Sequence, residues 1–173
     1  MFEKIRGPVL LFVLAFMVSG SAYAKNLKPR LLLESGDWKA YMLTENGHKV
    51  CYMVSQPKQE EGNYKRRGDI YALVTHRPSE NTMDVFSYVA GYSYQNGSSV
   101  TVSFGGRSFK LFTQGETAWA EDAATDKKIA AAIRSGSNMI VKGTSSRGTP
   151  TKDTFSLKGS GAAYKAISKE CGA

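Results

Sequence analysis

From residue 36 to residue 159 the apolar positions of this chain mostly recur with a period of two, in short runs broken by turn residues every 8–15 positions or so. "GDWKAYML" and "KVCYMVSQ" flank Glu45-Asn46-Gly47-His48. Asn-Gly tolerates positive φ at both corners of a type I′ turn, so these runs predict a hairpin with Cys51 on its second strand. "DIYALVTHRP" predicts a strand beginning near Asp69 and stopped by Pro78, which has no N–H for a ladder. "MDVFSYVAGY" is apolar on both faces and reads as a central, covered strand.

The sharpest hairpin is "SVTVSFGGRSFKLF". A two-residue Gly105-Gly106 turn pairs Phe104 with Arg107, Val102 with Phe109 and Val100 with Leu111. It leaves Thr101, Ser103, Ser108 and Lys110 on the opposite face. "NMIVKG" and "TKDTFSLKG" predict two more strands, the second with Phe155 and Leu157 inward and Lys152, Thr154, Ser156 and Lys158 outward. Thr144 to Pro150 is the connection, and its hydroxyls can bond their own backbone. Arg147 is expected to brace Asp153 or a nearby carbonyl there, a structural-turn role for both residues.

Two segments switch to a helical period. In "TDKKIAAAIRSG" Thr125 is the expected cap, Ile129 and Ile133 share a face, and Gly136 can close the helix in the left-handed region. In "SGAAYKAISKECG" Ser160 is the expected cap, and Ala163, Ile167 and Cys171 recur every four residues. The pattern as a whole predicts an all-β antiparallel sandwich carrying two short helices.

The first 24 residues follow a different logic: Lys4 and Arg6, an apolar run from Val9 to Val18, then Ala22-Tyr23-Ala24. This is the form of a secretory signal peptide, which would leave a mature chain from Lys25. The rival reading, an uncleaved anchor, lacks the roughly 20 apolar residues of a stop-transfer segment. Residues 25–173 have a length that suits one domain. Export places both cysteines, Cys51 and Cys171, in an oxidising compartment, where a disulfide is expected over a pair of buried thiols. Such a bond would staple the C-terminal helix to the Cys51 strand.

The whole chain carries a net charge of +8, and +7 once two basic and one acidic residue leave with the leader. A basic exported protein meets host-surface and envelope polyanions before nucleic acid. Lys65-Arg66-Arg67 beside Tyr64 is the candidate anion contact. Arg67-Gly68-Asp69 also spells an integrin-recognised tripeptide, but it runs straight into a strand instead of a mobile loop tip.

Catalytic patterns are weak. Ser145, Ser146, Arg147 and Asp153 lie close together with no general base near in sequence. His48 sits in a tight turn and His76 near a strand end, both expected to be solvated or locally bonded. Ser55 and Lys58 match Ser-x-x-Lys, which needs a helical turn that Pro57 opposes. Two histidines and two cysteines give no metal set, and no glycine-rich phosphate loop joins a strand to a helix, so no cofactor is expected.

The run from Phe109 to Cys171, above all Gly-Thr-Ser-Ser-Arg-Gly-Thr with Asp153, Phe155, Ser156 and Leu157, resembles the C-terminal half of the invasion-associated locus B proteins. Gly36-Asp37-Trp38 and "RGDIYALVTHRP" resemble the N-terminal half. The resemblance implies an exported immunoglobulin-like β-sandwich of Gram-negative bacteria, with Cys51 and Cys171 matching the pair expected to bridge. It implies a link to host-cell invasion, notably of erythrocytes, in pathogenic members, and it brings no catalytic residues. The expectation is a non-enzymatic protein in the periplasm, on the outer membrane or at the cell surface, with no transmembrane segment after leader removal. The alternative is a periplasmic housekeeping factor for envelope assembly or stress tolerance.

Overall fold

In the computed structural model residues 28–172 are described, and the expected leader lies outside them. The strands are β1 (Arg30–Ser35), β2 (Trp38–Glu45), β3 (His48–Ser55), β4 (Gln59–Gly62), β5 (Tyr71–Arg77), β6 (Thr82–Val89), β7 (Ser99–Phe104), β8 (Arg107–Gln114), β9 (Thr117–Trp119), β10 (Asn138–Thr144) and β11 (Pro150–Ser156). Helix α1 (Ala123–Ser135) follows β9, and α2 (Ser160–Cys171) follows β11.

All ladders are antiparallel and join in the order β1-β2-β3-β5-β6-β9-β8-β7-β10-β11-β4. The two layers of the sandwich are one hydrogen-bonded sheet, because the short β9 pairs with β6 on one side and β8 on the other. Across the fold, the Trp38 indole Nε1 donates to the Ser156 carbonyl at 3.0 Å, and the Tyr88 ring meets Phe155 edge-on at 6.2 Å. The alternating residues predicted to be apolar and inward, including Val100, Val102, Leu111 and Phe155, are buried in one core with Trp38, Phe86 and Tyr88.

Both predicted turns form in register. Glu45 pairs with His48 around Asn46 at φ 50° and Gly47 at φ 84°, and Phe104 pairs with Arg107 around Gly105 at φ 62°. Strand β5 starts at Tyr71 instead of near Asp69. Strands β1, β4 and β9 carry no clear apolar alternation. The exposed Gln-Glu-Glu-Gly of β4 is held by the ladder of β11 and by Lys152 Nζ, 2.7 Å from Glu61 Oε1.

The helices form where expected, with different ends. Asp122, not Thr125, caps α1: its carboxylate accepts the Thr125 N–H at 2.7 Å, and a charged acceptor suits the positive helix terminus. Gly136 ends the helix in an extended conformation at φ −86°, not the left-handed one. The Ser160 hydroxyl is turned away from its own helix and donates to the Ile133 carbonyl at 2.7 Å, satisfying a free carbonyl of α1. The cap position of α2 is Gly159 at φ 91°, where a Cβ would lie 1.8 Å from the Ser35 carbonyl oxygen. Cys51 is disulfide-bonded to Cys171, with Cα atoms 6.1 Å apart, which fixes the last turn of α2 to β3.

Candidate anion-binding cleft

Strand phase decides where the polar cluster of the second layer goes. Residues 151, 153 and 155 share the inward face of β11, and Leu157 just beyond it continues the phase, so Asp153 is carried into the core with Phe155. A carboxylate removed from water needs a cation and further donors. Arg67 supplies them: Nη1 and Nη2 donate to Asp153 Oδ1 and Oδ2 at 2.8 and 2.7 Å, and Nε donates to the Ala90 carbonyl at 2.7 Å. The side chains of Arg67 and Asp153 are 3% and 0% exposed. Tyr88 completes the group, its hydroxyl donating to Asp153 Oδ2 and lying 3.0 Å from Arg67 Nη2.

The guanidinium also sits 5.4 Å from the Tyr64 ring centroid and 4.9 Å from that of Tyr92. Burial alone pulls the Arg67 pKa down, but hydrogen bonding to Asp153 and its charge outweigh that, so the cation is held above its ordinary range. Burial, then the Asp153 charge, drives the Tyr88 phenol well up, and it stays a neutral donor.

This pair fixes the loop between β4 and β5 to the second layer. Behind it, the Gly68 N–H donates to the Gly91 carbonyl at 2.8 Å, and Gly91 takes φ 68° with no room for a Cβ, which would lie 2.3 Å from the Gly68 oxygen. Facing the loop is the turn between β10 and β11. It is closed by Ser145 N–H to Thr149 O at 2.9 Å, Gly148 N–H to Ser145 O at 2.8 Å, and Thr149 N–H to Ser145 Oγ at 3.2 Å. The Ser146 N–H ties this turn to the Ser93 carbonyl at 2.7 Å, and the Tyr92 hydroxyl lies 2.6 Å from Thr151 Oγ1.

Between loop and turn lies a cleft of about 740 Å³, lined by residues 63–67, Tyr92, Ser93, Ser145, Ser146, Arg147, Thr149 and Thr151. Two stretches 78 or more residues apart in sequence thus meet. Lys65 and Arg66 on one wall and Arg147 on the other are exposed, and the ion pairs among the described residues engage other cations. Ser145, Ser146 and Thr149 add hydroxyls, while the lining holds no carboxylate and no imidazole. Such a surface can hold a sulfate, phosphate or carboxylate group, and no histidine or carboxylate stands in it beside the serines.

Several expectations need correction. Arg67 is not a surface cation, because its charge is spent on Asp153; the free basic set is Lys65, Arg66 and Arg147. Arg147 does not brace Asp153, since Arg147 is exposed in the turn and Asp153 lies in β11, not in a turn. As expected, Arg67-Gly68-Asp69 presents no loop tip, though the reason is its buried arginine and the packing of its glycine on Gly91. Ser55 and Lys58, as expected, form no reactive couple: Ser55 donates to the Asp37 carbonyl at 2.7 Å, and Lys58 pairs with the Asp37 carboxylate.

His48 is exposed, and His76 meets the second of the two expected states: it is fully buried and hydrogen-bonded instead of solvated. Its Nε2 lies 3.2 Å from Ser168 Oγ, a pairing 92 residues apart that sequence spacing gives no sign of. Its Nδ1 accepts the Asp84 backbone N–H at 3.1 Å, which places the ring proton on Nε2. That nitrogen donates to Ser168 and cannot take its proton, so the couple is structural. Burial lowers the His76 pKa and keeps it neutral. Among the described residues no group of three or more His, Cys, Asp or Glu side chains is arranged to hold a metal, and no helix is long and apolar enough to cross a membrane.

A family model described as invasion associated locus B (IalB) protein matches residues 38–168, a span that holds both walls of the cleft and the Arg67–Asp153 pair. Among solved structures, invasion associated protein b from Bartonella henselae is similar with a TM-score of 0.55 at 19% identity, covering 80% of this chain and 95% of that one. At that identity the likeness is one of fold. No curated protein sequence matches.

Proposed function

The chain belongs to the invasion associated locus B (IalB) family, and we propose that it is an exported, non-enzymatic envelope or surface protein that attaches to anionic groups on a host cell. The observation that carries this reading is the cleft: Lys65, Arg66 and Arg147 line it from two chain segments, with hydroxyls between them and no carboxylate or imidazole. A preorganised cationic concavity of this kind favours recognition over turnover. The name of the Bartonella henselae neighbour is in keeping with a part in invasion.

The test is binding of purified protein to erythrocytes and to a sulfated oligosaccharide, before and after Lys65→Glu, Arg66→Glu and Arg147→Glu together. Reversing three convergent charges should reduce both affinities at least tenfold at physiological salt, with the melting temperature unchanged. Undiminished binding by a folded triple variant refutes the reading, and so does hydrolysis of the oligosaccharide that disappears with Ser145→Ala.

A further inference from the structure

The cleft is not the only set of exposed cations among the described residues. Helices α1 and α2 lie against each other, and their outward faces form a shallow groove of about 1150 Å³, lined by Ala131, Arg134, Ser135, Gly161, Ala162, Tyr164, Lys165, Ser168 and Lys169. Helical spacing puts Lys127 on the same outward face, four residues before Ala131 and seven before Arg134. Lys165 and Lys169 are likewise one turn apart on α2.

The acids of the two helices are all occupied elsewhere. Asp126 is buried and accepts the Phe86 N–H at 2.9 Å, Asp122 caps α1, and Glu170 pairs with Arg30 and Lys49 at 3.2 and 3.0 Å. Arg134 is spread flat, its guanidinium 4.2 Å above the Tyr164 ring, and that ring is fixed by its hydroxyl donating to Asp84 Oδ1 at 2.6 Å. The small residues Ala131, Gly161 and Ala162 keep the floor low between the cations.

We propose that the outward face of the α1–α2 pair docks on an anionic phospholipid bilayer. The charge distribution selects that partner. In the cleft three cations line a single concavity of a size that suits a compact anionic group. Here Lys127, Arg134, Lys165 and Lys169 are dispersed over two adjacent helices, each about 20 Å long, with no free acid among them. A dispersed cationic plane matches a lattice of headgroup phosphates, where every cation gains without converging. Neither helix is long and apolar enough to cross a membrane, so binding is peripheral and sensitive to salt.

The experiment is co-sedimentation of the protein, as processed by the cell, with vesicles of phosphatidylcholine alone or containing phosphatidylglycerol. Each basic residue near an anionic surface is worth roughly fivefold in partitioning. Lys127→Gln, Lys165→Gln and Lys169→Gln together should therefore weaken binding to the phosphatidylglycerol vesicles by about 100-fold. Lys65→Gln with Arg66→Gln in the cleft should change it less than twofold, and inorganic phosphate should compete no better than chloride at equal ionic strength. All three substitutions are on exposed helix positions, and an unchanged melting temperature confirms that the variants fold. Equal binding to both vesicle types, an unaffected helix variant, or an equal loss in the cleft variant overturns the proposal. Because the erythrocyte test uses the cleft variants, the two readings fail separately.

Discussion

Replacing Asp153 by Asn tests the buried pair that holds the cleft in place. Asparagine keeps the shape and one acceptor but leaves Arg67 as an uncompensated cation at 3% exposure, with the charge-assisted hydrogen bonds at 2.7 and 2.8 Å weakened or lost. Breaking a buried pair from one side costs about 3–5 kcal/mol, and Arg67→Met should cost about the same by stranding the Asp153 anion. For a fold of this size about 3 °C of melting temperature goes with each kcal/mol, so each single variant should melt roughly 10–15 °C lower. Arg67→Met combined with Asp153→Leu removes both charges and should recover most of the loss, a coupling of at least about 2 kcal/mol in urea unfolding followed by circular dichroism. If the two single effects simply add in the double variant, the pair is not the coupled buried unit described above. The recovered double variant should still bind a sulfated oligosaccharide more weakly, because the loop carrying Lys65 and Arg66 has lost its anchor.

Gly91→Ala puts a side chain at φ 68° and a methyl 2.3 Å from the Gly68 oxygen, so it should destabilise the fold by several kcal/mol and loosen the 63–67 loop; a melting temperature within 2 °C or so of the parent counts against that packing. Reducing the disulfide, or replacing Cys51 and Cys171 by Ser, reopens a loop with a sequence separation of 120 and should cost about 4–5 kcal/mol, read as a fall in the urea midpoint. Burial, with help from Asp122 and Asp84, raises the Asp126 pKa to about 6. The native state therefore holds a proton that the unfolded chain has released, and this group adds stability as pH falls from 6 towards 4. His76, with its pKa lowered by burial, acts in the opposite sense and loses stability as pH drops below about 6.5. Asp126→Asn should thus leave only the acid-side loss, and urea midpoints at pH 7, 6 and 5 that track the parent would contradict the assignment.

The parts of the fold legible from sequence are those where local chemistry and register agree. Asn46-Gly47 and Gly105-Gly106 dictate their turns, and the period of two then places Val100, Val102, Leu111 and Phe155 inward. β1, β4 and β9 left no such trace, because their ladders come from neighbouring strands and not from their own pattern. Of the two expected caps, Thr125 gives way to the charged Asp122, and Ser160 spends its hydroxyl on the Ile133 carbonyl while Gly159 takes the cap position. The candidate site was half legible. Lys65, Arg66 and Arg147 stood out as basic residues, but only tertiary structure brings residue 66 beside residue 147. The fate of Arg67 did have a signal: the phase that turns Phe155 and Leu157 inward turns Asp153 with them, and a buried carboxylate demands an arginine. The His76–Ser168 contact had only an indirect one: the expected Cys51–Cys171 bridge docks α2 on β3, but no local pattern pairs β5 with β3 so as to set His76 beside Cys51.

The most direct test of the cleft is amide chemical-shift mapping as a short sulfated oligosaccharide is titrated into the protein at physiological salt. The account predicts shifts concentrated at residues 63–67, 92–93 and 145–151, strongest around Lys65, Arg66 and Arg147, with α1 and α2 unmoved. Shifts centred on the helices, or none at all, would contradict it.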